Sequence, residues 1–348
     1  MRSFTLHALS DIGECSLDTI IDVRAPIEFA EDHIPGAINL PVLSDAERAR
    51  VGTIYTRQSP FLARKIGGAL VAQNTAMHVQ GPLAEKAGDW QPLIYCWRGG
   101  QRSGAFGTIL DQIGWRVHIL KGGYRSYRQQ VVHTLYSAPL PHRLMLLDGG
   151  TGTAKTEMLS YLAEAGAQIL DLEALAAHRG SLFGELEDAQ PSQKLFETRI
   201  ASKLCQHSPH QITWVEAESS RIGERIVPPA LWKSMRSAPR VRLSAALKER
   251  AHYLCKRYAD LTTDAARLNA VLDQLCPYQP AETISTWRRQ ADQADWRALA
   301  EGLIQIHYDP RYKKSVSDHR EPYRCVELKD LTEECLRKNA RMLAAQIK

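Results

Sequence analysis

One cysteine sits where an apolar run, Leu93-Ile94-Tyr95, gives way to a loop of two glycines and two arginines: Cys96-Trp97-Arg98-Gly99-Gly100-Gln101-Arg102. A loop closed that tightly turns its backbone N–H groups toward the sulfur. The helix expected from about Ser103 adds the positive end of its dipole on the same side. Together they favour an anion in the cradle and a thiolate at Cys96, below the free-cysteine value of about 8.5. Cys96 is therefore the candidate nucleophile. Trp97, Arg98, Gly99, Gly100, Gln101 and Arg102 form the candidate anion loop.

A second stretch, Asp148-Gly149-Gly150-Thr151-Gly152-Thr153-Ala154-Lys155-Thr156, follows another apolar run, Leu144-Met145-Leu146-Leu147. Strand, glycine loop and helix in that order are the setting of a P-loop. Backbone N–H groups from Gly149 to Thr156 would cradle a diphosphate. Lys155 would reach a terminal oxygen and Thr156 a metal ion. Against the pattern G-x4-G-K-[ST], the second glycine is Ala154. Its Cβ would crowd the phosphate or strain the loop, so diphosphate binding is expected and efficient ATP hydrolysis is not. Two further runs, 167–173 and 212–219, read as strands ending in acids, Asp171 and Glu173 on one, Glu216 and Glu218 on the other. Open α/β sheets collect ligands at such strand ends. Candidate substrate contacts are Asp171, His178, Arg179, Ser181, Gln193, Lys194, Glu216, Glu218 and Arg221, although His178 alone reads more readily as structural. Ser192 is placed to cap the helix that follows it.

The elements that must position these groups read as α/β throughout. We expect an N-terminal α/β domain over 1–136, then a P-loop α/β domain over 137–348. The latter carries a basic helical insertion at about 245–320, then a returning strand and a closing helix over 323–348. Within the insertion, Tyr308-Asp309-Pro310-Arg311-Tyr312-Lys313-Lys314-Ser315 reads as a basic loop. The 348 residues carry a formal charge of +5, compatible with an anionic partner such as RNA. Seven cysteines without any C-x-x-C pair argue against a disulfide framework and a structural zinc site. No apolar run approaches about 18 residues, so a cytoplasmic protein away from the membrane is expected.

Residues 10–135 resemble the rhodanese family. The matching pieces are Asp22-Val23-Arg24, Glu28 with His33-Ile34-Pro35-Gly36-Ala37, the cysteine loop, and Leu120-Lys121-Gly122-Gly123. The resemblance implies that Cys96 carries a sulfane sulfur or selenium, with Arg98 and Arg102 as anion contacts and Asp22 and Arg24 as buttresses. Cys96-x5-Arg102-Ser103 also fits a phosphatase pattern, in which cysteine attacks phosphorus. The cradle suits a tetrahedral anion in either case.

Nearly the whole chain is similar to the tRNA 2-selenouridine synthase family. The similarity rests on Tyr95-Cys96-Trp97-Arg98-Gly99-Gly100, Asp171-Leu172-Glu173, His178-Arg179-Gly180-Ser181 with Phe183-Gly184, Gln190-Pro191-Ser192-Gln193-Lys194 and Tyr308-Asp309-Pro310. It implies a transferase acting on tRNA that carries 2-thiouridine at the wobble position. Selenophosphate and geranyl diphosphate would be co-substrates, Mg2+ an accompanying cation, and the selenophosphate-producing synthetase a partner. Other readings of the same residues are a sulfurtransferase, a C-x5-R phosphatase, and a non-catalytic tRNA-binding scaffold.

Overall fold

A computed structural model of the chain describes residues 1–14, 16–186, 188–317 and 321–347. Cys15, one of the seven cysteines, and Lys348, the last residue of the expected closing segment, lie outside the described residues. The chain forms two compact units. Met1–Leu140, Pro191–Gln206 and Pro228–Ala230 make the first; Pro141–Gln190, His207–Val227 and Leu231–Lys348 make the second.

The first unit runs β1 (Arg2–Phe4), α1 (Asp11–Glu14), β2 (Thr19–Asp22), α2 (Pro26–Glu31), β3 (Ala37–Asn39), α3 (Asp45–Arg57), α4 (Pro60–Gln80), β4 (Pro92–Tyr95), α5 (Gln101–Ile113), β5 (His118–Leu120) and α6 (Gly123–Val132). Its five strands pair in parallel in the order β1-β5-β4-β2-β3. A central parallel strand is covered on both faces and so reads as continuous apolar sequence. Accordingly Leu93, Ile94 and Tyr95 of β4 are fully buried.

The second unit continues with β6 (Arg143–Gly149), α7 (Lys155–Glu164), β7 (Gln168–Leu170) and α8 (Leu172–Ala176). After α9 (Gln193–Cys205) come β8 (Ile212–Glu216), β9 (Arg221–Ile222), β10 (Arg225–Ile226), α10 (Pro229–Ser237) and β11 (Arg240–Ala245). Helices α11 (Leu247–Arg257), α12 (Ala259–Thr262), α13 (Ala265–Asp273), α14 (Ala281–Asp292), α15 (Trp296–Gly302) and α16 (Asp309–Ser317) follow. Then β12 (Arg324–Leu328) and α17 (Glu333–Gln346) close the chain. The main sheet is parallel, ordered β12-β11-β6-β8-β7, with β6 central.

Helices α11 to α16 stand between β11 and β12, where the insertion was expected. They carry their own core, with Leu268, Leu272, Ile284, Trp287, Leu299 and Leu303 buried together.

Three expectations change. The boundary expected after residue 136 falls after Leu140, because α6 continues as a wider helical turn over His133–Ser137 that buries Leu135 completely. Residues 191–206, assigned from sequence to the P-loop domain, belong to the first unit. There α9 buries Phe196, Ile200 and Leu204 at helical spacing, and the Thr198 hydroxyl donates to Asp32 at 3.0 Å. Ser192 caps α9 as expected, accepting from the Leu195 N–H at 3.0 Å. Finally, the basic loop expected over 308–315 is helical. Pro310 follows directly on a wider helical turn over Leu303–Tyr308, where the backbone has already left the regular i→i−4 pattern that a proline would break.

Candidate active site

Within the first unit the chain leaves β4, turns at Cys96 and enters α5 at Gln101. Gly99 adopts φ +64, and a Cβ there would collide with the Leu120 carbonyl. Gly123, at φ +60, comes equally close to the Cys96 carbonyl. Only glycine allows the two backbones to approach so closely. The Tyr124 N–H donates to the Cys96 carbonyl at 2.9 Å and the Arg125 N–H to that of Trp97 at 3.0 Å. The Gly122-Gly123 turn therefore braces the cysteine loop from behind.

Cys96 is 4% exposed. Its sulfur accepts the Gly100 N–H at 3.3 Å and the Ser103 hydroxyl at 3.2 Å. Burial pushes the thiol up, but the Ser103 hydroxyl, the Ser103 and Gly100 amides and the Arg102 charge outweigh it. The thiol is held below its ordinary value. Ser103 was read from sequence as the start of a helix and as the end of the C-x5-R-[ST] pattern, not as a donor to the sulfur. Its place seven residues after the cysteine, on the first turn of α5, was the available signal.

The other loop residues take different positions. Trp97 is partly exposed, its ring 5.3 Å from that of Tyr124. Arg98, Gly100 and Gln101 are exposed, and a Cβ on Gly100 would meet nothing. Arg102 acts on the sulfur through its charge, while its guanidinium binds Glu28 at 2.9 Å. Arg48 holds the same Glu28 carboxylate at 2.9 Å. Asp22 and Arg24 form a buried ion pair at 2.6 Å, and Arg24 stacks 4.0 Å over the Tyr124 ring.

In the second unit β6 delivers the glycine loop and α7 begins at Lys155. Ala154 caps α7 in the left-handed region, φ 55 and ψ 40. That conformation costs a Cβ-bearing residue roughly 1 kcal/mol, so the strain expected there is present. The Ala154 methyl is 2% exposed and belongs to the core of Met145, Leu147 and Met158. Lys155 Nζ donates to the Gly149 carbonyl at 2.9 Å. The Thr156 hydroxyl lies 3.0 Å from Glu216 and 3.3 Å from Glu173.

Four carboxylates converge behind these two residues. Burial, then the charge of Glu218, pushes Glu173 up to about 8 against the opposing Lys155. Burial and the charges of Glu173, Asp171 and Glu218 raise Glu216 well above the carboxylate range. Its Oε2 is buried without a hydrogen-bond partner. Burial also raises Glu218 and Asp171. Asp171 in addition caps α8, accepting the Ala174 N–H at 2.7 Å. At neutral pH the fold therefore keeps part of this cluster protonated.

His178 accepts the Gly180 N–H at Nδ1, 3.0 Å away, and burial lowers its pKa. It organises its own turn, the structural reading. Arg179 reaches Asp260 at 3.1 Å and lies 5.0 Å over the Tyr258 ring, while the Ser181 and Tyr258 hydroxyls are 3.1 Å apart. Arg250, buried on α11, donates to the Thr151 carbonyl at 2.8 Å and clamps Asp309 at 2.6 and 3.0 Å. That clamp gives Asp309 of the Tyr308-Asp309-Pro310 motif its role.

Around the loop lies a cavity of about 620 Å3, lined in part by Lys155, Arg179, Ser181, Glu218, Tyr253 and Arg257. Motif reading missed Tyr253, Arg257 and Tyr312, which only the fold brings from the insertion to the P-loop, and Arg240 at the start of β11 beside β6. Arg221 is exposed on β9, donates to the Gly223 carbonyl and lies outside this lining. Gln193 and Lys194 belong to the first unit, paired with Glu197 at 2.9 Å and Glu31 at 2.6 Å. Of the insertion's basic residues, Arg250, Arg257, Arg267, Arg288 and Arg297 each meet a carboxylate.

Among the described residues no group of three or more His, Cys, Asp or Glu side chains is arranged to hold a metal ion. No described helix is long and apolar enough to cross a membrane.

Residues 5–130 match the rhodanese-like domain and residues 142–274 the tRNA 2-selenouridine synthase AAA domain. The chain is 34% identical to a tRNA 2-selenouridine synthase of Aeromonas salmonicida over 91% of its own length and 92% of that protein's. Identity to the synthase of Cupriavidus pinatubonensis is 31%, over 84% of this chain and 87% of that one. With the synthase of Shewanella denitrificans it is 38%, over 69% of this chain and 65% of the relative's length. With one site on each of its two parallel sheets and these relatives beside it, the chain belongs to the tRNA 2-selenouridine synthase family.

Proposed function

We propose that this protein is a cytoplasmic tRNA-modifying enzyme that replaces the 2-thio sulfur of a wobble uridine by selenium, by way of an S-geranylated intermediate. The observation that carries the reading is a cysteine held toward its thiolate in one unit, Cys96, together with a cavity lined by a glycine loop ending in Lys155 and Thr156 in the other. A thiocarbonyl sulfur is a poor leaving group, and alkylation converts it into a neutral thiol that leaves readily.

In the second unit the amides of Gly149 to Thr156 and the Lys155 ammonium bind the diphosphate of geranyl diphosphate. Lys155 gives up its bond to the Gly149 carbonyl to do so. The tRNA sulfur attacks C1 of the geranyl group, the C–O bond breaks, and pyrophosphate leaves with the negative charge. No nucleotide is hydrolysed, which is why a strained Ala154 is tolerated. The carboxylates beside the loop would repel a diphosphate if all were ionised. Thr156 and the unpartnered Glu216 oxygen would hold a magnesium ion that accompanies the diphosphate. Such an ion would screen the charge and stabilise the departing pyrophosphate.

In the first unit the cradle at Cys96 receives the selenium donor, selenophosphate, handed over by the synthetase that makes it. Arg98, exposed on the loop, and the Gly100 amide contact the anion. Selenium adds to C2 of the alkylated uridine and geranyl thiol leaves. The P–Se bond is cleaved by water to release phosphate.

Mass spectrometry of wobble nucleosides tests this, using 2-thiouridine tRNA, geranyl diphosphate and selenophosphate with the full-length protein. Cys96→Ser is expected to abolish selenium incorporation while S-geranylation persists. Lys155→Ala is expected to abolish geranylation. Full selenium incorporation by Cys96→Ser would refute the placing of selenium delivery at the Cys96 loop. Transfer of sulfur alone would identify a sulfurtransferase, and unchanged nucleosides on co-purified RNA a binding scaffold.

A further inference from the structure

Beside the P-loop cavity lies a second, narrow pocket of about 80 Å3 built by the helical insertion. Thr151, Ser181, Leu254, Tyr258 and Tyr308 line both, so the two spaces adjoin. Beyond that shared mouth the walls are hydrocarbon, chiefly Phe183, Leu261, Leu268, Trp296, Leu299 and Leu303. The contrast with the main cavity, rich in Lys155, Arg179, Arg257 and Glu218, is sharp. A ligand bridging the two must be charged at one end and apolar at the other.

We propose that this pocket receives the far end of the prenyl chain whose diphosphate sits on the P-loop, and that its walls set the chain length the enzyme accepts. The proposal rests on the geranyl diphosphate reading above and deepens it. An apolar cavity of about 150 Å3 holds benzene, six carbons. About 80 Å3 therefore takes the terminal dimethylvinyl group of a prenyl chain, with the remaining carbons lying across the mouth. Tyr308 Oη is buried there without a hydrogen-bond partner among the described residues, and the Ser181 and Tyr258 hydroxyls satisfy each other. Polar groups therefore gather at the mouth, and the walls beyond it are chiefly hydrocarbon. Leu268 and Leu272, 5% and 0% exposed, close the insertion's core around the pocket. On that volume the last isoprene unit of a fifteen-carbon chain would lie outside the pocket.

Full-length protein is assayed with 2-thiouridine tRNA and dimethylallyl, geranyl or farnesyl diphosphate in turn, with inorganic pyrophosphate binding measured by calorimetry. Wild type is expected to favour geranyl over farnesyl diphosphate at least tenfold in kcat/KM. Leu268→Ala enlarges the pocket and is expected to narrow that preference to threefold or less. Thr262→Phe fills it from a half-buried position, so the fold is kept. This variant should raise KM for geranyl diphosphate about tenfold while leaving the dimethylallyl substrate and pyrophosphate affinity unchanged. If both variants keep the wild-type chain preference, the pocket is not the chain site. If wild type alkylates tRNA with none of the three diphosphates, the underlying functional reading fails instead.

Discussion

Replacing Ser103 by alanine removes one donor from the Cys96 sulfur and changes little else. The hydroxyl is fully buried and lies 3.2 Å from the sulfur. Hydrogen bonds to charged groups contribute about 1.5–3 kcal/mol. At about 1.4 kcal/mol per pKa unit, losing one predicts a rise of about one to two units. The lower end applies here, because the Gly100 and Ser103 amides and the Arg102 charge remain. The hydroxyl also has a competing acceptor, the Gly100 carbonyl at 3.3 Å. A one-unit rise cuts the thiolate fraction about tenfold on the acid limb, while the more basic thiolate gains roughly threefold in nucleophilicity. The net expectation is a several-fold slower reaction at low pH and a modestly faster limiting rate at high pH. Alkylation of the full-length protein by iodoacetamide, followed across pH 5–10 by mass spectrometry of the Cys96 peptide, reads both limbs. Alanine is a better helix former than serine, so the fold should persist, and thermal unfolding checks it. A titration midpoint that stays put or moves down would refute the hydroxyl's role.

The P-loop unit gives two further tests. Glu173 titrates near 8 in the fold and near 4.5 when unfolded, so the folded form holds a proton that the unfolded chain releases. Its contribution to stability is complete below about pH 4.5 and is lost as pH rises toward 8. Glu173→Gln should therefore flatten the fall in Tm between pH 5 and 8 and raise Tm at pH 8; an unchanged slope would show that the carboxyl is already ionised. Ala154→Gly relieves left-handed strain of roughly 1 kcal/mol. It also loses a buried methyl worth about 0.8 kcal/mol and adds about 0.5–1 kcal/mol of unfolded-chain entropy. Calorimetry should find Tm lowered by no more than about 2–4 °C, whereas a clear rise would mean the methyl is not packed in the core.

Much of this protein was legible in its sequence, because the cues were local. Fully buried parallel strands such as β4 and β6 must be unbroken apolar runs. A chain turning straight from strand to helix must use glycines, so both loops announced themselves around Cys96 and Lys155. Ser192 as a cap and the placing of the insertion between two strands came from the same kind of cue.

Tertiary structure alone decided the rest. Whether α9 joins the first or the second unit depends on which surface covers Phe196, Ile200 and Leu204, and periodicity is silent on that. The thiol's acidity depends on where Ser103 points. The protonation of Glu173 and Glu216 depends on four carboxylates, far apart in sequence, being brought into one buried space. Arg250, Tyr253, Arg257 and Tyr258 lie about a hundred residues beyond the loop they surround, and no spacing rule links them to it. Short-range geometry is written in residue order, whereas electrostatics and burial are set by the distances that only folding creates.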